Sequence, residues 1–76
     1  MNQSEQYTYM DKNRSLSVRQ MGVLNQLSLG LSNKQIAYNL GVAEATVKMH
    51  ISALLRFFNV QNRTQILLKA KQEGWI

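Results

Sequence analysis

Recurring helix-start and helix-stop signals divide most of this 76-residue chain into short segments. Ser17 and Ser32 are each followed three residues later by glutamine, which is the capping-box pattern of a helix N-terminus. Asn62 begins a third sequence of the same kind. Glycines, which readily adopt the left-handed conformation that ends a helix, stand at Gly30, Gly41 and Gly74. Because the chain contains no proline, nothing breaks the helices between these signals.

These signals predict an all-α fold of four helices, near residues 18–29, 33–40, 44–58 and 63–73. Apolar residues recur at helical spacing in every range, as expected of helices that share one small core. The predicted core residues are Met21, Leu24, Leu27, Ile36, Ala37, Leu40, Val47, Ile51, Leu54, Leu55, Phe58, Ile66, Leu67 and Ala70. Val42 and Val60 lie in the connections, where they are expected to fill the edge of this core.

The charge of the chain favours a polyanionic partner. It has nine Lys and Arg and four Asp and Glu, which gives a net charge of +5. Residues 1–15 hold two of the cations and two of the anions, so their charges cancel. The rest of the chain has seven Lys and Arg against only Glu44 and Glu73, and the whole positive surplus therefore lies in the segment predicted to fold. Such a surplus attracts nucleic acid. Charge alone fits a protein that is merely basic equally well.

Several classes of function are disfavoured by residues that the chain lacks. Without cysteine it has neither disulfides nor thiolate zinc sites, and one histidine with scattered carboxylates predicts no metal or cofactor site. No nucleophile or carboxylate is patterned around His50, so the chain is not predicted to be an enzyme. No segment resembles a signal peptide or approaches the ~20 apolar residues of a membrane span. The resulting expectation is a cytoplasmic protein.

The chain is expected to divide near residue 15. Residues 1–15 are polar and lack helical periodicity, which predicts a flexible tail or linker. Residues 16–76 carry all four predicted helices and are expected to form one domain.

The predicted helix at 44–58 has two chemically different faces. At 100° per residue its core residues fall in one sector, roughly opposite a sector that holds Ala45, Lys48, Met49, Ser52 and Arg56. Lysine can donate to guanine or phosphate, serine can bond to bases, and methionine can contact a thymine methyl group. A helix that packs against the core with one face and exposes the other to solvent suits insertion into a DNA major groove. The alternative interpretations are that Lys48 is only a solvated lysine, that Met49 fills the core and that Ser52 is an ordinary surface serine.

Four blocks of sequence resemble the LuxR-type helix-turn-helix, the effector domain of quorum-sensing receptors and of NarL/FixJ response regulators in two-component systems. The matching blocks are Leu16-Ser17-x-Arg19, Gly30-x-Ser32-Asn33-Lys34-x-Ile36-Ala37, Thr46-Val47-Lys48-x-His50 and Val60-x-Asn62-Arg63-Thr64. The resemblance covers about residues 16–72. It implies a bacterial transcription regulator whose helices 33–40 and 44–58 form the helix-turn-helix, with the latter in the major groove of double-stranded DNA. It also implies a cytoplasmic protein that joins the nucleoid when bound to DNA.

The resemblance also assigns roles to individual residues. Contacts with base edges are implied for Lys48, Met49 and Ser52. Contacts with the phosphate backbone are predicted for Asn33, Lys34, Thr46, His50, Arg56 and Arg63. Asn33 and Lys34 could instead only serve the helix start, and Arg63 could be a surface charge.

A homodimer contact is predicted on the last helix, which commonly supplies one in this family. Leu68, Lys71 and Gln72 lie on the face of that helix opposite Ile66. The alternatives are an isolated exposed leucine, or Trp75 folded back over it. A dimer would bind two half-sites about one helical turn apart.

Two departures from the family pattern bear on the fold. Ala43 stands where the family usually has a serine cap, so the helix at 44–58 is expected to begin without a side-chain cap. Phe57 replaces a frequent lysine and is expected to lie off the core as an exposed apolar contact.

The prediction is sequence-specific DNA binding that recruits or blocks RNA polymerase. The alternative is a protein-interaction module that keeps the helix-turn-helix shape without binding DNA.

Overall fold

The computed structural model describes residues 15–76, which form four α-helices and no β-strand. The helices are α1 (Val18–Ser28), α2 (Asn33–Leu40), α3 (Glu44–Phe58) and α4 (Arg63–Gln72). The all-α prediction is therefore confirmed, and α1 and α4 each end one residue earlier than expected. The predicted tail falls almost entirely on residues outside the described part, so the division near residue 15 stays a prediction.

Capping boxes begin the first two helices, as the sequence predicts. The Ser17 hydroxyl accepts a hydrogen bond from the Gln20 amide at 3.1 Å, and the Gln20 side chain accepts one from the Ser17 amide at 3.0 Å. Ser32 and Gln35 make the same reciprocal pair at 3.2 and 3.0 Å. Each pair occupies amide N–H groups that the first turn of a helix leaves unbonded. The start of α2 is thus fixed locally.

The last two helices begin differently. At α4 the Asn62 side chain accepts from the Gln65 amide, but the Gln65 side chain accepts from the amide of Gln61 at 2.7 Å, so only half of a capping box forms. At α3 the N-cap is Ala43, and no side-chain hydrogen bond caps the helix, as predicted. The Thr46 amide compensates partly by bonding to the Ala43 carbonyl oxygen at 3.0 Å.

The Ala43→Ser variant is expected to be more stable than the wild type by about 1 kcal/mol. Ala43 already has the extended backbone of an N-cap, with φ −75° and ψ 153°, so a serine hydroxyl could bond to the first turn without rearrangement. For a domain of this size the melting temperature should rise by roughly 4–8 °C, measured by circular dichroism. Ala45→Ser, two residues into the helix, is the matched control and should not raise it. An unchanged melting temperature for Ala43→Ser would contradict the account of this helix start.

Left-handed residues end the helices. The three glycines predicted as stop signals all have positive φ: 78° at Gly30, 68° at Gly41 and 83° at Gly74. Asn59, which ends α3 with φ 56°, is the one non-glycine with positive φ among residues 15–76, and the sequence analysis missed it. Asparagine tolerates this conformation better than most residues, which makes an Asn after a helical run a usable stop signal.

A single apolar core lies between the helices, and no polar or charged residue in the described part is buried. Its fully buried members are Val23, Leu24, Leu27, Ile36, Ala37, Val47, Leu54, Phe58, Ile66 and Ala70. All but Val23 were predicted. Val23 is buried because α1 packs against all three other helices, which widens its covered face. Other predicted core residues are only partly buried and pack around this centre: Met21, Leu40, Val42, Ile51, Leu55, Val60 and Leu67.

The expectation for Phe57 is wrong. Its side chain is half-buried and meets the ring of Phe58 edge-on, with 4.9 Å between centroids, and that of Trp75 at 5.5 Å. Trp75 reaches this position because the chain turns back after α4, and its amide bonds to the Ala70 carbonyl oxygen at 2.8 Å. The C-terminal residues therefore extend the core at the end of α3.

Candidate nucleic-acid interface

The outward face of α3 carries the three residues predicted to contact bases. Lys48, Met49 and Ser52 are all exposed, and Met49 exposes 68% of its surface. Ala45 and Arg56, which extend this face along the helix, are exposed as well. On the opposite side of α3 the buried residues are Val47, Leu54 and Phe58. The displayed sector is therefore the one that helical periodicity predicts.

The position of α3 in the fold leaves this face free. α3 packs against α1, α2 and α4, so its inner side is held by the rest of the domain. Its 15 residues span about 22 Å at 1.5 Å per residue. A large apolar side chain such as Met49, held in water on a well-packed helix, contributes nothing to the core. Its apolar surface is therefore available to a partner outside the domain.

Three exposed cations of α2 and α3 have no partner within the described residues. The side chains of Lys34, Lys48 and Arg56 are exposed and make no hydrogen bond or ion pair with residues 15–76. Glu44 lies one turn before Lys48, which is a spacing that permits an ion pair, but the two do not form one. These charges are therefore available to an external anion.

The remaining residues predicted to contact phosphate fall into two groups. Thr46 and His50 lie one turn apart on α3 and are half-buried, at the boundary between its packed and displayed sides. Asn33 and Arg63 contact each other: Arg63 Nη2 donates to Asn33 Oδ1, and Arg63 Nη1 donates to the Leu31 carbonyl oxygen at 3.4 Å. The sequence analysis did not predict this contact between residues 30 positions apart.

Arg19 makes another long-range contact that the sequence did not reveal. Its guanidinium donates to the Leu40 carbonyl oxygen at 2.9 Å, where the last turn of α2 leaves carbonyl groups without a helical partner. The Asn39 side chain, also near the end of α2, donates to the Gln26 side chain at 2.8 Å. These bonds attach the C-terminal end of α2 to α1. Arg19 belongs to the matched sequence blocks, but nothing in its local sequence names its acceptor.

The predicted dimer residues lie on the surface of α4. Leu68 exposes 60% of its surface, and Lys71 and Gln72 are exposed. Trp75 packs against the phenylalanines at the end of α3 and leaves Leu68 uncovered, so the alternative in which it folds over Leu68 is wrong.

Comparison with known families agrees with this geometry. Residues 14–70 match the family model described as bacterial regulatory proteins, luxR family. This chain belongs to the luxR family. The resemblance inferred from the four sequence blocks is thereby confirmed, and α2 and α3 are the two helices of a luxR-type helix-turn-helix.

Relatives within the luxR family match over most of this chain. The glycerol metabolism activator of Pseudomonas putida is 54% identical over 57 residues, which are 75% of this chain and 26% of that protein. The nitrate/nitrite response regulator protein NarP of Escherichia coli is 54% identical over 60 residues, 78% of this chain and 28% of NarP. The solved structure of the transcription factor GerE superposes with a TM-score of 0.75 at 30% identity, covering 79% of this chain and 90% of GerE. The chain thus spans about a quarter of the length of its two curated relatives.

Among residues 15–76, no three His, Asp or Glu side chains are grouped so as to hold a metal ion. None of the four helices has the length and apolar character that crossing a membrane requires.

Proposed function

We propose that this domain binds double-stranded DNA sequence-specifically, with α3 in the major groove. The observation that carries the proposal is the displayed sector of α3. There Lys48, Met49 and Ser52 are exposed, while the opposite side of the same helix is buried. An α-helix with side chains is about 10–12 Å across, and the major groove is about 12 Å wide. Only the displayed side of α3 could enter it without unfolding the core.

The three side chains supply different kinds of base contact. Lys48 can donate to O6 or N7 of guanine, and Ser52, one turn further along α3, can donate to or accept from a base edge. Met49 offers an apolar surface to a thymine methyl group. The exposed Met49 is the part that phosphate binding alone would not explain, because phosphate contacts need only charge and hydrogen-bond donors.

Phosphate contacts would fix the register of α3 in the groove. We assign them to Lys34 and Arg56, which are exposed and unpaired within residues 15–76, and to the polar tips of Thr46 and His50. Asn33 lies next to Lys34 in the first turn of α2. These contacts supply affinity that depends on salt and carries no sequence information.

We also propose that two copies bind adjacent half-sites through α4, with Leu68, Lys71 and Gln72 in the dimer contact. The Leu68→Glu variant is expected to sediment as a monomer and to lose about 1 kcal/mol or more of affinity for a duplex with two half-sites. Leu29→Glu is the matched control, since Leu29 is a 70% exposed leucine beyond the end of α1. Unchanged sedimentation and affinity for Leu68→Glu would exclude this dimer contact.

At the level of the whole regulator, we propose that the bound domain recruits or blocks RNA polymerase in bacteria, as part of a response regulator like NarP. The rival function is a protein-interaction module that keeps this fold without binding DNA. A salt titration with random-sequence duplex separates the two. Affinity that falls steeply with salt supports phosphate neutralisation, because each neutralised phosphate releases condensed counterions. No binding at low salt would favour the rival.

A further inference from the structure

Arg63 makes a bridge between the start of α4 and the start of α2. It is the first residue of α4, and its guanidinium donates to the Leu31 carbonyl oxygen and to the Asn33 side-chain oxygen. Leu31 and Asn33 flank Ser32, the N-cap of α2. The bridge therefore holds the chain on both sides of the residue that begins α2.

Within residues 15–76 no other hydrogen bond joins these two helices. α2 packs against α1 and α3, and within residues 15–76 its backbone does not approach that of α4. The other end of α2 is attached to α1 by the Arg19 bond to the Leu40 carbonyl oxygen. Arg19 and Arg63 thus hold opposite ends of α2. Arg63 is the attachment at the end that carries Lys34 and the free amide groups of the first turn.

We propose that Arg63 is a positioning residue for DNA binding, which acts through Asn33 and Leu31 rather than as a ligand of phosphate. By holding the first turn of α2, it sets where Lys34 and the free amide groups of that turn meet the DNA backbone relative to the displayed face of α3. This proposal rests on the proposed DNA-binding function. It replaces the direct phosphate contact that the family resemblance predicts for Arg63.

The chemistry of guanidinium explains why arginine occupies this position. Its planar group presents several N–H donors in a fixed fork and can serve two acceptors at once. A lysine ammonium is a point charge on a flexible stem and would keep the charge without fixing both acceptors. Lysine is nevertheless a good phosphate ligand, so Arg63→Lys separates positioning from direct binding.

The first test uses the 76-residue chain without DNA. Amide hydrogen exchange is compared between the wild type and Arg63→Ala by NMR. We expect faster exchange at Gln35 and Ile36, whose amides bond to the hydroxyl and carbonyl oxygens of Ser32, with no change at the buried Leu54 in α3. Unchanged exchange at Gln35 and Ile36 would overturn the proposal. This comparison tests the Arg63 bridge even if the domain binds no DNA. The absence of DNA binding would instead contradict the proposed function.

The second test is a double-mutant cycle in DNA affinity, at a temperature where every variant is folded by circular dichroism. The probe is a duplex of about three helical turns that carries a sequence selected for wild-type binding. We expect Arg63→Ala to bind about tenfold more weakly, Arg63→Lys to recover less than half of that loss on a logarithmic scale, and Asn33→Ala to add no more than about twofold to Arg63→Ala.

A matched cycle of Asn33→Ala with Arg56→Ala should be additive within about twofold, because Arg56 makes no hydrogen bond with Asn33. Two results would overturn the positioning role. One is wild-type affinity for Arg63→Lys, which indicates that only the charge matters. The other is multiplying losses for Arg63→Ala and Asn33→Ala, which indicates that the two side chains contact DNA independently.

Discussion

The Phe58→Ala variant is expected to lose about 3–5 kcal/mol of unfolding free energy, enough to leave much of the domain unfolded at physiological temperature. Phe58 is only 1% exposed and is among the largest side chains that the core buries completely. Its ring also meets those of Phe57 and Trp75 edge-on, at 4.9 and 6.4 Å between centroids. A domain this small buries only about 60% of its unfolded surface, so it has little stability to spare.

Urea unfolding followed by far-ultraviolet circular dichroism measures this loss without using Trp75, whose fluorescence the substitution would itself disturb. Phe57→Ala is the matched control. The same residue type is removed one position earlier, but its side chain is only half-buried, so about half the loss is expected. A urea midpoint for Phe58→Ala near that of the wild type would show that the core is not organised around the inner side of α3.

The Lys48→Ala variant is expected to weaken DNA binding by about 1–3 kcal/mol while the fold survives. Lys48 is exposed on the displayed face of α3 and has no partner within residues 15–76. Its removal should therefore cost nothing in packing. A large loss of DNA affinity without a loss of stability distinguishes a residue that contacts DNA bases from a residue that packs in the core.

Fluorescence anisotropy at fixed salt measures this change, because affinities at different ionic strengths are not comparable. The control is Lys69→Ala, which removes the same charge from α4. A general effect of net charge would weaken both variants equally and contradict the assigned role of Lys48. Equal affinity of Lys48→Ala and the wild type would contradict it as well.

The helices could be predicted from the sequence because their boundaries depend on neighbouring residues. Ser32 and Gln35 reach each other across a single turn, and Gly41 ends α2 by its own backbone conformation. The displayed sector of α3 follows from helical periodicity in the same way. Contacts between distant residues have no such local signal. The sequence therefore did not show that Arg63 meets Asn33 or that Trp75 covers Phe57.

Residue roles at the candidate interface depend on a different kind of inference. The sequence and its family resemblance together predicted DNA contacts for nine residues, and the structure shows which of them are free to make such contacts. Lys34, Lys48 and Arg56 are exposed and unpaired within residues 15–76, whereas Arg63 and Asn33 already bond to each other. The resemblance could not distinguish these cases, because a side chain that positions a helix and one that binds phosphate can carry the same charge.

Selection of bound sequences from random duplex DNA tests the central proposal most directly. If α3 reads bases from the major groove, the wild type should enrich one sequence, present as two half-sites about one helical turn apart. The double variant Lys48→Ala/Met49→Ala should lose that preference while keeping salt-dependent binding to DNA of any sequence. Binding by the wild type that enriches no sequence would contradict the proposal that the displayed face of α3 reads DNA.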